Sequence, residues 1–225
     1  MKTEAVDNYQ ICIVTGQYQK APQVQQNMIK WLFGPSAESS YELYFHWFNM
    51  IHELGHAIMT FNALDRPHPA EEEQLVNHFA YAYWMHYGEP EKVQALTSIV
   101  HKALDKLTAP VPNPIHHLDY AKSNWDKAEL YSFNNYGWFQ FRCVQAAIAE
   151  SHSLEQVLNY MCSFKVAVQK PKILEYEIST TMAPQVIADA AKMLKKWGIA
   201  LPDKIDIVFC NDVNCHMCKV EEVLN

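Results

Sequence analysis

No stretch of this 225-residue sequence approaches the roughly 18 uninterrupted apolar residues of a membrane-spanning helix, and its mean hydropathy is −0.21. A soluble protein without a membrane partner is expected. Basic residues are in deficit: 18 Lys and Arg against 25 Asp and Glu leave a net charge of −7 with histidines neutral. That charge repels phosphate backbones and argues against nucleic acid as a partner. Six cysteines are too few for a disulfide framework. Cys12, Cys143 and Cys162 stand singly among apolar neighbours, the pattern of reduced, buried thiols in the cytoplasm. The opening residues Met1 to Asn8 carry acids where a secretory leader has a basic start and an apolar core, so a cytoplasmic location is expected. Internal repeats, low-complexity tracts and long charge runs are missing too. With 49% apolar and 19% charged residues, the chain is neither disordered nor collagen-like. Abundant instead are histidine, 11, and tyrosine, 12. Histidine titrates near neutrality and is the commonest metal ligand, so composition already hints at metal chemistry.

Helical signals dominate the chain. Ser39-Ser40-Tyr41-Glu42 has the form of a capping box, and the apolar-rich run that follows predicts a helix from about 41 to 62. Asp65-Arg66-Pro67-His68-Pro69 ends it. Pro69 suits a first helical position and Gly88 a stop, which predicts a second helix over 69–87. Further helices are expected at about 90–107, 137–150, 154–164 and 184–197. Tyr9–Thr15 and Lys204–Cys210 are strand candidates. The expected class is therefore α+β, predominantly helical, with a small β-sheet. Length permits one domain over 1–225. The proline-rich segment Ala109-Pro110-Val111-Pro112-Asn113-Pro114 offers the alternative of a subdivision into 1–109 and a helical extension over 115–225. Nothing in the sequence specifies an oligomeric state.

One motif carries chemistry. His52-Glu53-Leu54-Gly55-His56 is an H-E-x-x-H sequence inside a predicted helix, and shuffling this composition produces only about 0.04 such matches per chain. Residues four apart stand one above the other on a helix, so both imidazoles can reach one ion. Glu53 points to the neighbouring side, where it can take a proton from a water without binding metal; it is the candidate general base. Gly55 in mid-helix costs about 0.5–1 kcal/mol relative to alanine, which asks for a reason such as close approach of a backbone or substrate. A catalytic zinc site has three protein ligands and an open position. Glu71-Glu72-Glu73 opens the next helix and can supply the third. Projection around that helix favours Glu72, near the centre of the apolar face with Val76, Phe79 and Tyr83. Asn77 favours Glu73, since it would stand one turn beyond it and could hold the carboxylate or a ligand imidazole. Three acids in a first turn also serve as a solvated cap that complements the helix dipole.

His52-Glu53-Leu54-Gly55-His56, followed by Glu73-Gln74-Leu75-Val76-Asn77-His78-Phe79-Ala80-Tyr81-Ala82-Tyr83-Trp84-Met85, resembles the ImmA/IrrE family of zinc metallopeptidases within the wider zincin class. In that family the zinc-binding helix is followed by Glu, a small residue and Asn, then Phe-Ala, then an apolar run ending in Met-Pro. Asn77, Phe79, Ala80 and Met85 match in register. Val76, Tyr83, Trp84 and His86 depart from the pattern, and the match covers only about residues 40–87. The resemblance implies Glu73 as third ligand, a zincin-like fold, one zinc ion, and a protein or peptide substrate that is a regulatory protein.

The expected activity is thus a cytoplasmic zinc metallopeptidase in which His52, His56 and Glu73 hold the metal and Glu53 is the base. Two alternatives stay open: a non-catalytic zinc- or partner-binding module, and a metal-dependent hydrolase acting on a non-peptide amide. His116, His117, Tyr120 and Tyr136 are candidate donors to the oxyanion. Cys210, Cys215, His216 and Cys218 have a spacing that could serve a metal but no evident fourth partner, and read as ordinary tail cysteines. His46, His68, His78, His86, His101 and His152 read as surface or core residues.

Overall fold

Proline and glycine set the limits of several helices, because one fixes φ and the other frees it. The computed structural model describes residues 10–15, 17–63, 65–113, 116–164, 183–196, 198–199 and 204–209. Helix α1 (Gln23–Phe33) follows Pro22 and stops at Gly34, whose φ is +58°. A short 3-10 turn at Gly34–Ser36 leads into α2 (Ala37–Tyr41), a π-helical stretch at Glu42–Phe48, and α3 (Asn49–Asn62). These form one continuous helical path. The predicted start at Ser39 is corrected: Ser39 lies inside α2, and its hydroxyl donates to the Ser36 carbonyl at 3.1 Å instead of capping an end. Helix α4 (Pro69–Tyr87) begins with Pro69 as expected, and its cap is His68, whose Nδ1 accepts from the Ala70 amide. Glu71 accepts in return from the His68 amide.

Helices α5 (Pro90–Leu104), α6 (His117–Asn124), α7 (Phe133–Glu150), α8 (Leu154–Met161) and α9 (Ala183–Lys196) complete the helical set among the described residues. The ends of α5 and α8 fall three residues short of expectation, and α7 starts four residues early. Helices α1 and α6 are additions that no sequence pattern announced.

The expected α+β class is overturned, because the core described is built by helices alone. Extended pairing among the described residues is confined to one parallel ladder, β1 (Gln10–Thr15) beside β2 (Lys204–Phe209), with Gln10 opposite Lys204 and Thr15 opposite Phe209. Two strands do not make a sheet layer. Short β-favouring runs carried the expectation of a sheet, whereas α3, α4 and α7 bury one another's apolar surface and need none. Ile51, Leu54 and Ile58 of α3 meet Val76, Phe79 and Ala80 of α4, and Phe139 and Val144 of α7, in a single buried cluster. Helix α4 is its axis: every residue from Leu75 to Trp84 is buried. A helix enclosed on all sides has no polar face to orient it.

No helix among the described residues is long and apolar enough to cross a membrane. Of the single cysteines, Cys143 is buried, but Cys162 is exposed, contrary to expectation. The segment holding Cys210, Cys215, His216 and Cys218 lies outside the described residues.

Candidate metal centre

Helices α3 and α4 approach closely because Gly55 lets them. A Cβ at Gly55 would stand 2.9 Å from Cβ and Cγ1 of Val76 and 3.2 Å from Cδ1 of Phe79. The reason for a mid-helix glycine is therefore the neighbouring helix. The same approach faces His52 and His56, one turn apart on α3, toward the first turn of α4.

Both imidazoles turn Nε2 toward one carboxylate. Glu73 Oε2 lies 3.3 Å from His52 Nε2 and 3.6 Å from His56 Nε2. The ring centroids are 5.0 Å apart with planes at 79°. Each Nδ1 is occupied elsewhere. His52 Nδ1 meets Asn77 Oδ1 at 3.1 Å, and His56 Nδ1 meets Glu72 Oε1 at 2.8 Å. An acceptor on Nδ1 fixes a ring proton there and points Nε2 at the place an ion would take on displacing any proton from it.

The three acids of α4 have separate fates. Glu71 caps the helix and pairs with Lys122 at the surface. Glu72 is buried, and its carboxylate bridges His56 and the Arg66 guanidinium, whose Nε donates at 2.7 Å. Glu73 enters the space between the histidines. The projection that favoured Glu72 identified the most buried acid, not the one between the two Nε2 atoms.

Helix α7 closes the far side. Gln140 Nε2 donates to Glu73 Oε2 at 2.8 Å and to the Tyr136 hydroxyl at 3.0 Å, and that hydroxyl donates to Glu73 Oε1 at 3.3 Å. Asn77 Nδ2 donates to the Glu73 carbonyl and to Gln140 Oε1. Among the candidate oxyanion donors, Tyr136 reaches the site. His116 pairs with Asp119 at the surface, His117 with Gln74, and Tyr120 packs edge-on against Trp138. Glu53 Oε1 accepts from Asn49 Nδ2 at 3.1 Å, and its charge is near enough to raise the pKa of both His56 and Tyr136. Gln140 and Arg66 carry no sequence signal of their own, beyond Gln140 standing one turn after Tyr136 in a largely apolar helix.

No family model, curated protein or solved structure matches the chain. The likeness to ImmA/IrrE metallopeptidases therefore rests on residues of α3 and α4 alone, and chemistry has to carry the functional reading.

Electrostatically the surroundings of the two histidines favour positive charge. Burial opposes charge on His56, but hydrogen bonds to Glu72 and Glu73 and the nearby carboxylates outweigh it and lift its pKa to about 10. Burial likewise opposes ionisation of Glu73, yet the two histidines hold its carboxyl well below the ordinary range. Two imidazoles and a carboxylate form the donor set of a zinc site. Tetrahedral bonds of about 2.0–2.1 Å place ligand atoms about 3.3 Å from one another, close to the 3.3 and 3.6 Å separations. His52, His56 and Glu73 therefore fit a zinc ion, and no further His, Cys, Asp or Glu joins them among the described residues.

Proposed function

We propose that the protein is a zinc-dependent peptidase, with His52, His56 and Glu73 as ligands, Glu53 as general base and Tyr136 as donor to the oxyanion. The observation that carries this reading is the convergence of both Nε2 atoms on Glu73 Oε2, with both Nδ1 atoms engaged by Asn77 and Glu72. Zinc bound by this set would supply a water acidified to a pKa of about 7 and a Lewis acid for a peptide carbonyl. Three protein ligands are the number that leaves a position open for that water.

The chain's own groups complete the chemistry. Glu53 takes a proton from the attacking water and passes it to the leaving amine. Tyr136, whose pKa is pushed far up by burial and by Glu73, stays protonated, and the hydrogen bond it gives to Glu73 would turn to the oxyanion as that charge develops. Gln140 holds both Tyr136 and Glu73 in place. A regulatory protein as substrate follows from the family likeness. A cytoplasmic setting accords with the unpaired thiol of Cys143.

Metal analysis beside a hydrolysis assay on a mixed peptide library tests the proposal. Glu53→Gln should keep the zinc of this site and lose at least about 10²-fold in kcat. His56→Ala should lose both. A parent protein that takes up no zinc when zinc is supplied, or a Glu53→Gln variant with parental turnover, would overturn it.

A further inference from the structure

A second group of potential ligands lies on the opposite side of α4. His78 Nε2 is 3.8 Å from Glu150 Oε2, and His152 Nε2 is 3.0 Å from the same oxygen. One ligand atom from each of the three lies within 4.8 Å of the others. The two imidazoles face each other at 5.5 Å with planes at 31°. We propose that His78, Glu150 and His152 form a second site for a divalent transition-metal ion, separate from the one at His52, His56 and Glu73.

Three observations support it. The separations of 3.0 and 3.8 Å bracket the ligand spacing of about 3.3 Å around a tetrahedral ion, and two imidazoles with one carboxylate suit zinc, nickel, cobalt or copper. The backbone also fixes the ligands. His78 is buried in the axial helix, which holds its imidazole in place. Glu150 is the last residue of α7, and His152 sits between two caps. Ser151 ends α7 in the left-handed region at φ +46°, its amide bonded to the Ala147 carbonyl, and Ser153 opens α8 by exchanging hydrogen bonds with Gln156. Non-glycine residues seldom adopt that region, and here one stands between two of the ligands.

The third observation is that all three residues border a cavity of about 670 Å³, whose wall includes Leu75, Leu118, Val157 and Phe164. An ion held by the cluster would border this space, within reach of a small ligand in it. The carboxylate also lies at the negative end of the α7 dipole, where a cation is favoured and a lone anion is not.

Glu150 and His152 are about half exposed, so substituting them should leave the fold intact. Equilibrium dialysis of the full chain against zinc, followed by metal analysis, reads the site directly. His152→Ala and Glu150→Gln should each bind one ion fewer than the parent, and His52→Ala/His152→Ala two fewer. Circular dichroism of the single variants should match the parent. Parental stoichiometry in both His152→Ala and Glu150→Gln would overturn the second site. Loss in those variants without loss in His52→Ala would overturn the first site and leave the second standing.

Discussion

At the scale of single residues, Gly55 and Tyr136 show how tightly the centre is specified. The Val76 side chain that a Cβ at Gly55 would strike is β-branched and buried, so it cannot swing aside cheaply. Gly55→Ala should therefore cost about 1–3 kcal/mol despite alanine's better helix propensity. Urea titration of the single and double variants checks this: if the clash is the cause, Gly55→Ala costs less in a Val76→Ala background than in the parent. Equal costs in both backgrounds would point elsewhere. Tyr136→Phe removes one hydroxyl that touches Glu73 and Gln140. As an oxyanion donor it should leave zinc content unchanged and lower kcat about 10²-fold, with KM little altered; unchanged turnover would remove Tyr136 from that role. Cys143 offers a contrast. Burial, reinforced by the charge of Glu73, raises its thiol pKa well above the ordinary range, so it remains a protonated core residue, neither nucleophile nor ligand.

At the scale of elements, the π-helical stretch Glu42–Phe48 runs directly into α3 and its two histidines, and such stretches are frequent near functional sites. It is rich in aromatic side chains that lock it in place. Tyr44 packs on Phe48 and Phe141, and Trp47 stacks on Trp84 of α4 with ring centroids 3.8 Å apart. Trp47→Ala should cost about 3–5 kcal/mol by denaturant midpoint; a loss under 1 kcal/mol would mean the stack does not hold the segment. None of this is visible in a linear pattern, since seven π-helical residues read like any apolar helix. The limits of α4 were legible because Pro69 and Gly88 act locally. The identity of the acid between the histidines was not settled by periodicity, because α4 is enclosed all round and every projection finds an apolar face. Asn77, one turn beyond Glu73, was the better guide. Helix α1 begins after Pro22 with Gln23-Val24-Gln25-Gln26 and no side-chain cap, which leaves the sequence without a start signal. Gln140 reaches Glu73 across 67 residues, a contact that only the packing of α7 on α4 creates.

At the scale of the whole molecule, the candidate centre joins three helices that are distant in sequence: α3 gives the histidines, α4 the acids and Asn77, and α7 the Tyr136 and Gln140 contacts. An ion bound there would bind the folded chain and not the unfolded one, so it would stabilise the fold by mass action. At a free zinc concentration 100 times Kd the gain is about 2.7 kcal/mol. For a chain of this size each kcal/mol moves Tm by about 2–4 °C, so saturating zinc should raise Tm by about 5–11 °C over chelator-treated protein. The ion at His78, Glu150 and His152 would add its own increment, tying α4 to the junction of α7 and α8, and the variants separate the two. His56→Ala should keep only the part of the zinc-dependent shift that His152→Ala loses. With His56 and His152 both replaced, the curves with zinc and with chelator should coincide, apart from binding by the terminal cysteines, which a Cys210→Ser/Cys215→Ser/Cys218→Ser background removes. A full shift surviving in that background would place the stabilising ion at neither cluster.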